Sequence, residues 1–361
     1  MTDNGGFAPG NLCQHSRRQL AQALAGFAHQ PSYQDDISMN YKLLGRTGIK
    51  VSQLCFGTMS FGGDADAAES AKMYKATRDA GINFYDCANG YSNGKAEEIL
   101  GKQITGERDD LIITSKCFNS TGPDINAGGG SRRHIPLAVE DSLKRLGTDR
   151  LDVLFMHRWD KETPVEETLR ALENLVTQGK VVHLGASNYA AWQIAKGLGI
   201  AERKGWSRLD VIQPMYSLVK RQAESEIFPL ALSEDLGVIT YSPVGGGLLS
   251  GKYGPDNKPD AGRLINNKGY AKRYSESWAY DTAGDFTELA KSLDVHPVSL
   301  AVAWAGANPA VTSPIVGARN VEQLQPSLDS VKIDMTPELY EQIANLSRTP
   351  APATDRLEDQ L

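Results

Sequence analysis

The stretch 82–98, INFYDCANGYSNGKAEE, ends a strand-like apolar run in an acid, Asp86, and places a phenol, Tyr91, on the loop that follows. Two more ionisable residues stand at matching places: Lys116 closes the run LIITSK and His157 closes LDVLFMH. Taken singly, each has an ordinary explanation. A strand-end Asp forms turns, a Lys reaches solvent, and a Tyr packs with its hydroxyl in water. On consecutive strands at equivalent depth they form a set with its own chemistry. A free phenol has a pKa near ~10, too high to exchange a proton readily at neutral pH. An adjacent ammonium favours the phenolate and lowers that value, while a carboxylate paired with the ammonium keeps it charged and oriented. The set reads as Asp86 holding Lys116, Lys116 tuning Tyr91 downward, and Tyr91 giving a proton to an oxygen. A neutral His157 donates a second hydrogen bond to the same oxygen.

Such a set needs strands whose ends converge. From residue 41 short apolar runs alternate with longer amphipathic stretches, the βα rhythm. YKLLGRTGIKVSQL reads as a hairpin with Thr47-Gly48 at its turn. Eight strand candidates follow: 54–59, 82–86, 111–116, 151–157, 181–187, 209–214, 237–243 and 313–317. Helical patterns over 67–81, 135–147 and 164–179 separate them, the last with Pro164 in its first turn and Gly179 at its stop. Runs such as LDVLFMH are apolar nearly throughout, as in strands buried on both faces of a parallel sheet. Eight units predict a closed (β/α)8 TIM barrel with an N-terminal β-hairpin. The competing open, doubly wound sheet wants a GxGxxG fingerprint after its first strand, and GTMSFGG (57–63) lacks it. Two longer stretches, 118–134 and from Gly245 to about Asp281, follow strand ends and read as loops at the C-terminal face, where barrel sites are built.

Composition narrows the classes. Hydrophobic residues make up 40% of the 361 and charged residues 23%, enough apolar material for a large core. A net charge of -6 offers no basic footprint for nucleic acid. No apolar run reaches the ~20 residues that span a bilayer. Cys13, Cys55, Cys87 and Cys117 have no CxxC spacing and read as reduced, mostly buried thiols of a cytoplasmic protein, with no metal site. Cys87 and Cys117 flank chemistry-bearing residues, but strand alternation turns them from the barrel axis. Residues 1–38 read as a poorly ordered extension; Ser16-Arg17-Arg18 before LAQALAGFA is a faint twin-arginine pattern with a short, interrupted apolar part. Residues 39–346 form the barrel and 347–361 a tail, whose Pro and charge content favours disorder over a cover for the site.

A proton donor aimed at a carbonyl oxygen also needs a hydride source, and the later strands offer a place for one. Ser187 and Asn188 end the fifth strand and Gln213 the sixth, side chains able to grip a carboxamide. Tyr216 or a neighbour presents a flat face for a ring. In GARNVEQL (317–324) Arg319 stands at a helix N-terminus, either an anion site suited to phosphate or a solvated surface charge.

These residues resemble the aldo-keto reductases over about residues 40–346, and most of all a bacterial branch that also resembles the potassium-channel β-subunits. The motifs are FYDCANGYSNGKAEEILGK (84–102), IITSK (112–116), LDVLFMH (151–157), GASNY (185–189), IQPMYSL (212–218), YSPVGGGLLSGKY (241–253) and PIVGARNVEQL (314–324). The resemblance implies a catalytic set of Asp86, Tyr91, Lys116 and His157, with Tyr91 the general acid, and NADPH/NADP+ as cofactor. Ser187, Asn188 and Gln213 would fix the nicotinamide carboxamide and Tyr216 would stack on its ring. Tyr241, Ser242, Pro243 and Val244, with Gly245, Lys252 and Arg263, would line pyrophosphate and ribose. Arg319 and Gln323 would receive the 2'-phosphate, and Gly57, Thr58, Met59, Asp86 and Gly317 would also lie against the cofactor. Where the family commonly has Glu-Asn on the adenine, this chain has Pro326-Ser327. The implied reaction is reduction of an aldehyde or ketone, or the reverse oxidation of an alcohol, and a homo-oligomer is compatible with it.

Met59, Phe61, Tyr91, Phe118, Trp159, Trp278 and Tyr280 fall on segments near the mouth and suggest an apolar pocket for an aromatic or alicyclic carbonyl compound. Two other functions use the same residues. A regulatory subunit would bind NADP(H) and signal its redox state to a partner. A lyase or isomerase would use Lys116 as a Schiff-base nucleophile, which an adjacent Asp86 opposes by keeping the amine protonated.

Overall fold

The structure, a computed structural model, describes residues 39–356 and 358. The expected extension 1–38, with its Arg pair and Cys13, lies outside the described residues. The described residues open with the hairpin of β1 (Tyr41–Leu43) and β2 (Lys50–Ser52), antiparallel with Lys42 opposite Val51. Its turn is the expected one: Thr47 Oγ1 donates to the Leu44 carbonyl at 2.7 Å and Gly48 takes φ +78.

The eight expected strands follow as β3 (Cys55–Gly57), β4 (Phe84–Asp86), β5 (Ile112–Cys117), β6 (Leu151–Met156), β7 (Val181–Ser187), β8 (Leu209–Gln213), β9 (Gly237–Thr240) and β10 (Ser313–Val316). Each pairs in parallel with the next, and β10 pairs with both β9 and β3, so the sheet closes on itself. The open-sheet alternative is thereby excluded.

Helices α1 (Ala67–Asp79), α2 (Lys95–Gln103), α3 (His134–Leu146), α4 (Val165–Thr177), α5 (Ala191–Lys204) and α6 (Ile227–Ser233) cover the outside. After β9 come the short α7 (Arg263–Asn266) and α8 (Lys268–Arg273), then α9 (Ser277–Ser292), α10 (Pro297–Ala307), α11 (Val321–Leu328) and α12 (Pro337–Ala344). In α4 the buried positions Val165, Thr168, Leu169, Leu172 and Leu175 recur at the three- and four-residue spacing of one helical face. Pro164 stands at its N-cap, one place before the expected first turn, and Gly179 follows its end at φ +72. No helix among the described residues is long and apolar enough to cross a membrane.

Strand alternation sorts the core into two layers. Phe56, Tyr85, Leu154, Ile212 and Val238 face the helices, whereas Cys55, Phe84, Val153, Phe155, Val211 and Ile239 fill the barrel. Leu44 and Val51 of the hairpin join the inner layer and plug the N-terminal end. Two glycines shape the top of this filling. A Cβ on Gly185 would stand 2.4 Å from the Phe155 ring, and one on Gly57 would stand 2.7 Å from Ile315 Cγ2.

With one end plugged, the barrel opens at the other. There the loop 118–133 is tied down by Asp160, whose Oδ2 accepts from Gly130 N at 2.7 Å, and by Thr168 donating to the Gly130 carbonyl at 2.8 Å. The second loop ends sooner than expected, because Ser277 already opens α9.

Candidate active site

Each inner-layer strand, extended by two residues, puts its next inward side chain at the open mouth. Phe84 leads to Asp86, Thr114 to Lys116, Phe155 to His157, Gly185 to Ser187, Val211 to Gln213 and Ile239 to Tyr241. Asp86 is 2% exposed and Lys116 1%.

Lys116 Nζ donates to Asp86 Oδ2 at 2.5 Å, to the Cys87 carbonyl at 2.7 Å and to Tyr91 Oη at 3.1 Å. An ammonium has three N–H donors and no acceptor, so all three are committed and Tyr91 Oη is the acceptor in the last bond. The phenol's own proton is left free to point elsewhere. Asp86 Oδ1 accepts from Thr114 Oγ1 and from Gln213 Nε2, each at 2.8 Å. A carboxylate only accepts, so the Gln213 nitrogen must face Asp86, and its Oε1 keeps its capacity for a ligand.

Burial works against the charge on Lys116, but the Asp86 carboxylate and the Tyr91 oxygen outweigh it and hold the amine above the usual lysine range. That disfavours the free amine a Schiff base needs. At Tyr91 the balance falls the other way. Burial pushes the phenol up to about 12, and the pull of Lys116 only moderates the rise. The expectation that the cation brings Tyr91 below its free value is therefore corrected: desolvation outweighs the cation.

His157 is lowered to about 3 by burial, then by the charges of Lys116 and Arg158, so the ring is neutral. Its Nδ1 lies 3.4 Å from Asn119 Nδ2, a donor, which leaves the ring proton on Nε2. The rings of His157 and Tyr91 meet edge to face at 6.0 Å. The turn carrying Tyr91 is strained: Ser92 (φ 48) and Asn93 (φ 54) are left-handed non-glycine residues, at a cost of roughly 1–2 kcal/mol each.

Across the mouth, Asn188 (φ 57) donates through Nδ2 to the His157 carbonyl at 2.9 Å and to Ser187 Oγ at 3.0 Å. Its Oδ1 accepts from Tyr241 Oη at 2.6 Å, while Ser187 Oγ donates to the Gln213 carbonyl at 3.0 Å.

Tyr216 is a correction. It is 0% exposed, stacked on Trp304 at 5.2 Å and against Phe228 at 4.9 Å, with its hydroxyl on Glu224, so it has no face to offer a ligand ring. Tyr241, half-buried and inward by alternation, stands where that face was expected.

Phe61 is also corrected. It is 0% exposed and packs 5.8 Å from Phe56 in the outer layer, not in the mouth. Thr58 is likewise 0% exposed, with both its amide and its hydroxyl donating to the Asp86 carbonyl. Met59 is 39% exposed. Phe118 lies under the Arg158 guanidinium at 4.7 Å, and Trp159 packs edge-on against Tyr189 at 5.2 Å and Trp192 at 5.5 Å. Trp192, 59% exposed, was missed. Trp278 and Tyr280 lie on α9; Trp278 meets Glu276 and Arg348, while Tyr280 meets Tyr253 and Lys258.

The loop after β9 curls through left-handed Ser242, Gly245, Gly246 and Gly247. Pro243 is buried, Val244 half-buried and Lys252 exposed. Arg263 and Arg273 flank the Tyr270 ring at 5.2 and 4.7 Å, and Arg273 was not singled out from the sequence. Arg319 is exposed just before α11, with Nε 3.5 Å from Gln323 Oε1. Asn320 caps that helix by accepting from Gln323 N at 2.9 Å. Glu69 Oε1 accepts from Val321 N at 3.1 Å, a carboxylate at this helix start that the sequence reading did not foresee. A Cβ on Gly317 would stand 3.1 Å from the Gly57 carbonyl.

These groups suit a nicotinamide dinucleotide at both ends of its length: an acceptor and a ring face at the mouth, and backbone turns and the Arg319 guanidinium at the rim. Ser327 is only 4% exposed, and the Pro326 carbonyl accepts from Ser299 Oγ at 2.6 Å, so neither replaces an exposed Glu-Asn pair for adenine.

The model of the Aldo/keto reductase family matches residues 53–348. A probable voltage-gated potassium channel subunit beta of Oryza sativa subsp. japonica is 38% identical over 315 residues, 84% of this chain and 95% of that protein. The uncharacterized oxidoreductase YrpG of Bacillus subtilis is 36% identical, covering 88% of this chain and 98% of its own. The versiconal hemiacetal acetate reductase of Aspergillus parasiticus is 34% identical over 83% and 94%.

Proposed function

The chain belongs to the aldo/keto reductase family, and from that membership we propose that it reduces an aldehyde or ketone to the alcohol with NADPH, Tyr91 serving as general acid. The observation that carries this reading is the contact of Lys116 Nζ with Tyr91 Oη at 3.1 Å. It makes the phenol oxygen an acceptor toward the barrel and leaves its proton for a ligand.

A carbonyl oxygen set against Tyr91 Oη and His157 Nε2 receives two hydrogen bonds that strengthen as negative charge develops on it. The hydride to the carbonyl carbon would come from NADPH when it is bound. Tyr91 passes its proton to the nascent alkoxide. Though burial raises it, the phenol is still a stronger acid than the alcohol being formed, so this transfer runs downhill. Lys116 stabilises the phenolate left behind, and Asp86 keeps Lys116 charged and aimed.

Gln213 Oε1 would accept from the carboxamide, and Tyr241 would support the ring. Arg319 and Gln323 at the α11 N-terminus receive the 2'-phosphate and favour NADPH over NADH. In Tyr91→Phe, kcat falls by about 10²-fold or more while NADPH affinity stays near that of the wild type. Wild-type turnover in that variant removes Tyr91 from the mechanism, and equal use of NADH and NADPH by the native protein removes Arg319 and Gln323 from phosphate recognition.

The relatives named as potassium-channel subunits favour a second reading, in which the chain binds NADP(H) and reports on it to a partner with little turnover.

A further inference from the structure

Tyr91 is followed by three successive left-handed residues, Ser92, Asn93 and Gly94, of which only the last is glycine. Such a run does not hold itself; the surroundings must over-determine it. Arg145 at the end of α3 lies across Gly94, where a Cβ would stand 2.8 Å from its Cδ. Arg145 Nε donates to Glu97 Oε2 at 2.8 Å. Glu97, 0% exposed in the first turn of α2, accepts through its other oxygen from Ser115 Oγ at 2.5 Å. Ser115 is the residue before Lys116.

One buried carboxylate thus fastens the helix that begins where the Tyr91 turn ends to the strand that presents Lys116. An ion pair with one buried and one half-buried partner is poor value for stability alone, since apolar residues of equal volume often serve as well. Here it sits behind the one contact on which proton delivery depends.

We propose that Glu97, Arg145 and Ser115 are positioning residues that set Tyr91 against Lys116. This rests on the reductase reading above. Carrying no proton to the substrate themselves, they act through the placement of the phenol.

The test compares Arg145→Met, Arg145→Lys and Ser115→Ala in the full chain. It reads kcat and KM for a carbonyl substrate, NADPH affinity, and the Tyr91 resonance of protein labelled with 13C at the tyrosine Cζ, assigned by its loss in Tyr91→Phe. Arg145→Met should lower kcat by about tenfold or more, with KM and NADPH affinity nearly unchanged and the resonance displaced. Arg145→Lys should recover most of the loss, and Ser115→Ala should move both readouts the same way by less. Unchanged kcat in a folded variant overturns the proposal, as does a loss confined to KM with the resonance in place. Should Arg145→Met fail to fold, Ser115→Ala decides. Should the native chain turn over no carbonyl, the reductase reading fails separately, and the resonance alone decides the positioning role: displaced it stands, unmoved it falls.

Discussion

At Tyr91 two effects of opposite sign meet: burial raises the phenol, and Lys116 at 3.1 Å lowers it. Residue types alone announce the second effect and hide the first, because desolvation depends on how much protein surrounds the hydroxyl. The same burial acts on His157 with a consequence for stability. Its folded pKa is about 3 against an ordinary 6.5, so between those values the unfolded chain takes up a proton that the native ring refuses. Stability from this group is complete above pH 6.5 and is lost as pH falls toward 3. At about pH 5 the loss amounts to about 2 kcal/mol. In His157→Gln, thermal stability should fall less than in the native protein between about pH 7 and pH 5, since the difference removed is that of this one titration. Identical pH dependence in both would mean that His157 protonates freely in the folded state.

At the scale of elements, the apolar runs and their order predicted the hairpin and the eight strands, and the strand ends singled out Asp86, Lys116, His157, Ser187 and Gln213. Alternation fails where a strand stops. After Gln213 comes Pro214, and nothing in IQPMYSL says that the Tyr216 side chain turns outward onto Trp304 and Glu224. Tyr241 was the legible choice, since it continues β9 two residues past Ile239 in the inner layer. The loop after β9 was less readable still. Its course depends on left-handed Ser242 and Gly245–Gly247 and on Arg263 and Arg273 gripping Tyr270, contacts between residues with no common period. Gly185 shows the reverse case, a motif residue whose reason emerges only in three dimensions. Gly185→Ala places a methyl 2.4 Å from the Phe155 ring, directly below the site. Overpacking of this kind costs about 1–3 kcal/mol, so the variant should melt several degrees lower. An unchanged melting temperature would show that Phe155 has room to move.

For the molecule as a whole, the hairpin closes one end of the barrel and the long loops build up the other, so the buried ion pair Asp86–Lys116 is reached from one side. This architecture serves a reductase and an NADP(H)-reading subunit equally, and the relatives include one named as a reductase and one named as a probable potassium-channel subunit beta. What separates them is whether the proton held at Tyr91 is delivered. The most direct measurement is NADPH oxidation by the full chain across a panel of aldehydes and ketones, beside direct titration of NADPH binding. Sustained oxidation with at least one carbonyl compound is the result expected here. Tight NADPH binding with no oxidation across the whole panel would contradict the reductase assignment.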